Sequence, residues 1–318
     1  MKGYKIAPGV KLSWGSVIIG KEVSIGKNTS VGFFTIVRAS KISLGRYCKI
    51  GALSAIDTES FSMDDDARIN EQVYIGGIKT PESALVMGKR TIIMQASYVN
   101  PTLPITIGDD SGIGGNCLLF THGSWNSQLE GYPVKFAPIT IGKKVWLPWR
   151  VFVMPGVTIG DGAVIGADSM INKDIPANSL AAGSPAKVLK ENFSSPLGSE
   201  EQKKLMFGFL SDFAAYLQHN SYTVKKETTE KVFSLAIEGK AGKSRLFFLE
   251  DANSIPATAG QDVILLFLSA GEREIKSAQK NSVMVVSLSA GARAGTSKVG
   301  EEVVNFLSRY GIRFNRLD

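Results

Sequence analysis

The fold is decided by residues 139–171, which read ITIGKKVWLPWRVFVMPGVTIGDGAVIGADSMI. An aliphatic residue returns at every sixth position, and Gly often follows it. These aliphatic positions are Ile141, Leu147, Val153, Ile159, Ile165 and Ile171. A period of six fits neither an α-helix nor the simple alternation of a β-strand. It indicates a repeat architecture of stacked coils.

Shorter runs with the same period come earlier in the chain. They lie at Ile19, Ile25 and Val31, at Leu44, Ile50 and Ile56, and at Ile107, Ile113 and Leu119. The position four residues after each aliphatic residue is nearly always small or β-branched. Two inward positions per hexad with a crowded corner between them favour a narrow, three-sided prism of short parallel strands. Three hexads would form one coil of about 18 residues.

The composition is that of an ordinary globular chain, with 318 residues, 44% hydrophobic and 20% charged. No apolar run has the length of a membrane span, so we expect no membrane insertion. The first ten residues lack the apolar stretch of a secretory signal, so we expect a cytoplasmic protein. The two cysteines, Cys48 and Cys117, fall on small inward positions. We expect them to pack in the core and to form neither a disulfide nor a metal cluster.

The net charge of +7 is unevenly placed. Residues 1–190 hold 20 basic and 14 acidic residues, whereas residues 191–318 hold 16 and 15. The excess in the repeat part suits an anionic ligand such as a nucleotide or a phosphorylated cofactor. The basic residues are scattered and form no recognisable nucleic-acid-binding module, so we expect no nucleic-acid partner.

The sequence predicts two domains. The repeat ends near Pro185, and the Ser-Ser-Pro-Leu-Gly-Ser segment at 194–199 is typical of a linker. The repeat domain is assigned to 1–190 and a C-terminal α/β or α+β domain of unknown role to 200–318. In the C-terminal domain we predict helices over 200–218 and 300–310. Strand-like runs lie at 222–226, 232–237, 245–249, 263–268 and 283–288.

Two segments interrupt the hexad count. Residues 57–72 contain an acidic run and are expected to form a surface excursion. Residues 123–138 separate Leu119 from Ile141 and contain Gly, Pro and aromatic residues. We expect an extruded loop there that covers a binding site, since loops on a rigid scaffold often carry function.

Residues 105–190 carry motifs beyond the hexads. They are Thr121-His122-Gly123, the segments 139–146, 153–160, 165–169 and 173–179, and Ala181-Ala182-Gly183-Ser184-Pro185-Ala186-Lys187. In this combination the chain resembles the left-handed β-helix acyltransferases, in particular the galactoside, maltose and xenobiotic O-acetyltransferase group. With the weaker N-terminal coils the resemblance covers residues 1–190 and none of the C-terminal domain.

The resemblance implies a mainly β fold, a left-handed parallel β-helix of hexapeptide repeats, followed by the C-terminal domain. It also implies a homotrimer with acetyl-CoA bound between neighbouring prisms and no metal. The implied reaction moves the acetyl group to a hydroxyl of a small-molecule sugar acceptor, in surface-polysaccharide or nucleotide-sugar metabolism. The hexad period alone fixes neither the hand of the helix nor the trimer.

His122 is the candidate catalytic base. It follows Leu119 by three residues, points away from the prism interior and stands at the mouth of the longest loop. An imidazole can take a proton from a hydroxyl at neutral pH, which typically accelerates a reaction by about 10²–10⁴-fold. In this motif we expect His122 to activate the acceptor hydroxyl for direct attack on the thioester.

The resemblance places the cofactor site at Trp149, Ala167, Ala182, Gly183 and Lys187. In relatives a backbone N–H after the loop stabilises the oxyanion, and Trp149 occupies the matching position. Relatives usually carry a small residue there. The indole of Trp149 is therefore expected to narrow the site, to stack on a ligand, or to pack against a neighbouring subunit. Lys187 or Lys190 is the candidate partner for a CoA phosphate.

Asn100, Asn116 and Trp125 are the candidate acceptor-binding residues. The two asparagines lie near His122 in the hexad register, and Trp125 belongs to the extruded loop.

The residues also bear on three other possible functions. A γ-class carbonic anhydrase needs three metal-binding histidines, but the repeat part holds one. A sugar nucleotidyltransferase needs a Gly-rich phosphate loop before the prism, but coils begin at once. A trimeric scaffold that displays the C-terminal domain for partner binding stays open as the alternative.

Overall fold

The computed structural model describes residues 3–123, 126–228, 233–239, 242–255, 263–280 and 282–317. The chain divides into two compact units, Met1–Ser195 and Pro196–Asp318. Each unit has its own core. Among the described residues, no helix is both long enough and apolar enough to cross a lipid bilayer.

Short strands, most of them parallel, build the first unit. They are β1 (Tyr4–Ile6), β2 (Lys11–Leu12), β3 (Val17–Ile19), β4 (Glu22–Ile25), β5 (Ser30–Val31), β6 (Ile36–Leu44), β7 (Lys49–Ile50), β8 (Ala55–Met63), β9 (Arg68–Ile69), β10 (Tyr74–Gly76), β11 (Ala84–Met87), β12 (Ile92–Ile93), β13 (Tyr98–Asn100), β14 (Ile105–Ile107), β15 (Gly112–Ile113), β16 (Leu118–Phe120), β17 (His122–Gly123), β18 (Lys135–Phe136), β19 (Ile139–Ile141), β20 (Trp146–Leu147), β21 (Phe152–Val153), β22 (Thr158–Ile159), β23 (Val164–Ile165), β24 (Met170–Ile171), β25 (Leu180–Gly183) and β26 (Ala186–Lys190).

The coils stack into three faces. The first face includes β11, β14, β19 and β22, the second includes β12, β15, β20, β23 and β25, and the third includes β10, β13, β16, β21 and β24. We call the turns from first to second face, second to third, and third to first the first, second and third corners. The hexad aliphatic residues from Ile25 onward are buried in one continuous core. The predicted mainly β, hexapeptide-repeat parallel β-helix is confirmed.

The early coils are longer than predicted. Val17 pairs with Ile36, Ile36 with Ala55, and Ala55 with Tyr74, so each of these coils has 19 residues. In the coils that begin at Ile36 and Ala55, the extra residue lies where β6 and β8 run from the third face to the first as unbroken nine-residue strands. In the late coils Phe152 pairs with Met170, which gives the predicted 18 residues.

The surface excursion predicted at 57–72 is wrong. These residues complete β8, turn at the first corner and form β9. The prediction failed because an unbroken strand has a period of two, not six, and β8 buries Thr58, Phe61 and Met63 instead of hexad positions. The extruded loop is confirmed for residues 126–138, which contain a 3₁₀ turn at Gln128–Glu130 and strand β18 before the chain returns at β19.

In its described residues the second unit forms a mixed seven-stranded sheet and three α-helices. Its elements are α1 (Ser199–His219), β27 (Thr223–Thr228), β28 (Phe233–Gly239), β29 (Gly242–Leu249), a 3₁₀ turn (Ala252–Ser254), β30 (Val263–Phe267), α2 (Glu272–Gln279), β31 (Met284–Ser287), β32 (Ala292–Gly295), α3 (Lys298–Ser308) and β33 (Asn315–Arg316). The strands lie in chain order, and β29, β30 and β31 are parallel. Helix α2 was missed because only Ile275 and Ala278 of its eight residues are buried.

Candidate active site

The third corner holds His122 at a fixed point of the backbone. The preceding residue, Thr121, is fully buried. Its hydroxyl donates to the carbonyl oxygen of Asn100 at 2.8 Å and accepts from the N–H of Leu103 at 3.0 Å. These bonds anchor the chain where it leaves the prism, so His122 is the first residue of the loop hairpin β17–β18.

Phe136 holds the imidazole ring of His122 by stacking. The two residues are register partners in the antiparallel pair β17–β18. Their ring centroids are 5.2 Å apart and the ring planes differ by 13°. The Nδ1 atom of His122 is buried and has no hydrogen-bond partner among the described residues. Sequence reasoning missed Phe136, although its place just before the return of the hexads was a usable signal.

Asn100 lies behind His122 and is buried. Its Oδ1 atom accepts a hydrogen bond from the hydroxyl of Thr102 at 2.9 Å, and its main-chain carbonyl anchors Thr121. Asn100 therefore belongs to the support of the third corner. The third predicted acceptor-binding residue, Trp125, lies outside the described residues.

An aromatic row crosses the third face beside His122. Tyr74, Tyr98, Phe120 and Phe152 meet edge to face, with successive centroid distances of 4.9, 4.9 and 5.8 Å. Burial raises the pKa of the Tyr98 hydroxyl. The hexad pattern did not reveal this row, because it identifies inward positions and these rings point outward. The row gives the surface next to His122 an apolar character suited to the faces of sugar rings.

The second corner brings Trp149 and Ala167 together. They hold the same turn position in successive coils, and the carbonyl oxygen of Trp149 accepts from the N–H of Asp168 at 3.1 Å. Among the described residues, the N–H groups of Trp149 and Ala167 have no hydrogen-bond acceptor. Arg150 and Asp168 form an exposed ion pair beside them, which neutralises both charges. The corner therefore presents free amide donors next to a small side chain.

The indole of Trp149 rests on the preceding coil of its own chain. A methyl group added at Gly115 would collide with the indole ring, and one added at Gly114 would collide with the backbone of Pro148. The two glycines thus make room for the Pro148-Trp149 turn. The ring packs within the chain, and Trp149 stays 39% exposed.

The predicted residues near the end of the repeat lie beside this corner. Ala182 sits over Gly166, where an added Cβ would come within 2.6 Å of the Ala182 Cβ. Gly183 donates its N–H to the Ser169 hydroxyl at 3.0 Å. Lys187, on the antiparallel strand β26, is the register partner of Ala182 and is exposed. The structure therefore places Trp149, Ala167, Ala182, Gly183 and Lys187 in one region.

One chain does not bring this region to His122. Strands β16 and β21 pair in parallel, His122 follows the end of β16, and Trp149 precedes the start of β21. The third face separates the two corners by about five residues, which corresponds to roughly 15 Å at strand spacing. Asn116 lies at the second corner too, where its N–H bonds to Gln95. Within one chain the two corners are therefore not adjacent.

The cysteines are not placed as nucleophiles. Both are fully buried, as predicted. Burial raises the pKa of Cys48 to about 12 and that of Cys117 to about 11, which keeps both thiols protonated at neutral pH. The Cys117 thiol lies 3.0 Å from the carbonyl oxygen of Pro148. Within the described ranges, no group of three His, Cys, Asp or Glu residues is arranged to hold a metal ion.

The sequence matches known repeat proteins over this region. A family model described as the hexapeptide repeat of succinyl-transferase matches residues 138–173. The chain is 47% identical over 124 residues to a putative colanic acid biosynthesis acetyltransferase, WcaF, of Escherichia coli (strain K12), covering 33% of this chain and 68% of that protein. It is 46% identical over 90 residues to the galactoside O-acetyltransferase of the same strain, covering 27% and 44%.

Solved structures with a similar fold include a hexapeptide-repeat acetyltransferase of Vibrio cholerae complexed with acetyl coenzyme A. It has 23% identity and a TM-score of 0.29, covering 56% of this chain and 71% of that chain. The polySia specific acetyltransferase NeuO has 21% identity and a TM-score of 0.38, covering 62% and 84%.

Proposed function

Because this chain belongs to the hexapeptide-repeat acetyltransferases, we propose that it moves an acetyl group from acetyl-CoA to a hydroxyl of a sugar or sugar-containing acceptor. The names of two relatives, a colanic acid biosynthesis and a galactoside acetyltransferase, support a carbohydrate acceptor. The former also supports a role in surface-polysaccharide biosynthesis. The cytoplasmic location expected from the sequence stays a prediction.

The observation that carries the proposal is His122 at the anchored mouth of the loop. Thr121 fixes its backbone, Phe136 fixes its ring, and the aromatic row continues from it across the third face. In the proposed reaction the acceptor oxygen forms a bond to the thioester carbon while the imidazole takes the hydroxyl proton. The carbon–sulfur bond then breaks, and the proton passes to the leaving CoA sulfur.

The second corner is proposed to bind acetyl-CoA. The Trp149 N–H would donate to the oxyanion that forms on the thioester carbonyl. Ala167, Ala182 and Gly183 leave room for the pantetheine chain, and the Lys187 ammonium is a point charge for phosphate. The residues fit this ligand, because the described corner combines unbonded amide donors, small side chains and an exposed lysine.

The proposed active unit is a homotrimer. Since His122 and Trp149 lie at opposite edges of the third face, each site would take its base from one copy and its oxyanion donor from the next. In this arrangement Asn116, at the second corner, would approach the acceptor from the neighbouring copy. The acceptor-binding roles of Asn100 and Trp125 stay predictions.

The proposal is tested by His122→Ala. We expect kcat for acetyl transfer to galactosides and related sugars to fall about 10²–10⁴-fold. Acetyl-CoA affinity by titration calorimetry and the oligomer mass should be unchanged. His219→Ala is the matched control, because His219 is the other histidine of the chain and ends α1 in the second unit.

Equal kcat in wild type and His122→Ala would remove the proposed base. Failure of the wild type to bind acetyl-CoA would remove the transferase proposal. In that case a non-catalytic scaffold that displays the second unit becomes the better description.

A further inference from the structure

The positive charge of the chain is concentrated at its beginning. Residues 1–56 carry seven Lys and two Arg against one acidic residue, Glu22. The remaining 262 residues carry 27 basic and 28 acidic residues. The excess thus lies in the first coils and is carried by their lysines, because Arg38 and Arg46 pair with Asp57 and Asp65 of the following coil. Binding of acetyl-CoA does not account for it.

The same coils expose large apolar side chains at the second corner. Trp14, Phe33, Phe34 and Leu53 are 74%, 56%, 50% and 57% exposed. We call these four residues the apolar edge. The Trp14 and Phe34 rings meet edge to face with centroids 4.9 Å apart, so the edge is continuous between the first two coils. Contiguous exposed apolar side chains of this kind mark interaction surfaces.

The backbone of the apolar edge is unfavourable for the residues that occupy it. Phe34 and Leu53 have φ of 52° and 58°, in the left-handed region that bulky residues avoid. The next coil holds Gln72 at the same turn position with φ of 59°. Polar residues at this position are therefore compatible with the turn. At this left-handed position, large apolar side chains occur only in the first coils, and the later coils hold Gln72, Ala96, Asn116, Arg150 and Asp168.

A basic row runs beside the apolar edge on the second face. Lys11, Lys49 and Arg68 occupy one register row of β2, β7 and β9. A shallow hollow of about 370 Å³ has Lys49 and Arg68 in its lining together with Phe33 of the apolar edge, and Glu71 is its acidic member. The hollow joins cationic and aromatic groups in one concave surface.

We propose that the apolar edge and the basic row dock the protein on an anionic lipid surface. Aromatic and aliphatic side chains would enter the interfacial layer while the lysine and arginine groups meet headgroup phosphates, the combination used by peripheral membrane proteins. The proposed trimer brings a neighbouring copy to the second corner in the coil of Trp149. At the first coils an anionic membrane fits the surface better than a second copy does, because a second copy would bring the same positive charge to the contact. The proposal needs no segment that crosses the bilayer and does not rest on the transferase reaction.

The test is co-sedimentation of the full chain with vesicles of equal parts phosphatidylglycerol and phosphatidylcholine. We expect binding that is lost on pure phosphatidylcholine and weakened by salt. The double variant Lys11→Gln/Lys49→Gln should lower the partition coefficient about fivefold for each lysine removed. Phe34→Asn/Leu53→Asn should lower it by about tenfold, and Asn tolerates the left-handed backbone, so folding is preserved.

Gln72→Asn is the matched control at the same turn position and should bind as the wild type does. The proposal is overturned if the wild type stays in the supernatant with anionic vesicles at low salt. It is also overturned if both double variants sediment like the wild type. If Phe34→Asn/Leu53→Asn instead lowers the oligomer mass, the apolar edge is a contact between copies. Binding to soluble polyglutamate but not to vesicles would assign the surface to an acidic protein.

Discussion

The first and second corners of the repeat unit share one turn but use its amide group differently. At the first corner the N–H of Lys143 donates to Oδ1 of Asp161 in the next coil at 2.8 Å. At the second corner the N–H groups of Trp149 and Ala167 have no acceptor among the described residues. One corner is closed by a side chain of the protein, and the other is left open.

The difference comes from the residue one coil further on. At the first corner this residue is repeatedly an aspartate. Asp65 accepts the turn N–H of Arg46, and Asp109 accepts that of Lys89. Asp161 accepts the N–H of Lys143 in the same way. At the second corner it is Ala167, which offers no acceptor. The same turn is thus a structural corner where the residue one coil further on accepts its N–H, and a candidate ligand site where that residue has no acceptor.

The largest expected effect comes from deleting the amide donor of the open corner. Trp149→Pro removes the N–H, and proline fits this turn position, as Pro155 does before Gly156 at the third corner. We expect kcat to fall about 10²–10³-fold, the usual result of losing one oxyanion donor. Trp149→Ala, which keeps the N–H, should retain kcat and change mainly the KM for acetyl-CoA.

Equal kcat in Trp149→Pro and Trp149→Ala would contradict the proposed donor. Co-expression makes the same measurement stricter, because His122→Ala and Trp149→Pro chains should regain activity when mixed in one oligomer. No recovery in purified mixed oligomers would mean that each site is complete within one chain.

The open corner was only partly predictable from the sequence. The hexads fix which residues point inward, and the motif resemblance selected Trp149 and Ala167. The role of Gly115 could not be seen, because the contact with the indole joins residues 34 positions apart across the inserted loop. The 57–72 prediction failed for a related reason, since a corner that is spanned by a continuous strand has no hexad signal.

The second-largest effect is expected from closing the open corner. Ala167→Asp places the carboxylate of the first corner one coil above Trp149, where it can accept the Trp149 N–H. We expect kcat to fall by about tenfold or more, because the oxyanion must compete with a carboxylate for the same donor. Thermal stability should be unchanged or slightly higher, since the new hydrogen bond contributes about 1 kcal/mol.

The converse change, Asp161→Ala, opens the first corner and serves as the control. It should lower stability by about 1 kcal/mol and leave kcat unchanged. If Ala167→Asp kept full activity while gaining stability, the open amide would have no part in the reaction.

The third face and the second unit show a different limit of sequence reasoning. The row from Tyr74 to Phe152 is defined by neighbouring strands that are 20 to 34 residues apart in sequence, so no local pattern reveals it. The missed strand β32 is short and contains Arg293, which is buried through an ion pair with Glu301 of α3. Because the partner Glu301 lies on a different element, the sequence alone predicts that Arg293 is exposed.

The smallest effect is expected at the closed corner and depends on pH. Burial acts to raise the pKa of Asp65, but the hydrogen bonds from the side chain and N–H of Arg46 together hold it below its usual range. A carboxyl with a lowered pKa in the folded state stabilises the fold above its unfolded pKa of about 3.9. This contribution is lost as the pH falls through the folded-state pKa.

Asp65→Asn should therefore lower stability by about 1 kcal/mol or less at neutral pH, because the pair is partly exposed. The difference from wild type should shrink as the pH falls below about 4, where the carboxyl is protonated first in the unfolded chain and, at lower pH, in the folded protein. Urea unfolding followed by tryptophan fluorescence reports this directly, since all four tryptophans lie in residues 1–190. Asp64→Asn is the matched control, because the Asp64 side chain accepts the Asp65 N–H and does not bond to Arg46 in the described structure. The stability difference for Asp65→Asn could instead stay constant down to pH 3. The aspartate would then act through its shape and hydrogen bonds and not through its charge. In that case the ion pair with Arg46 would contribute nothing to the stability of the closed corner.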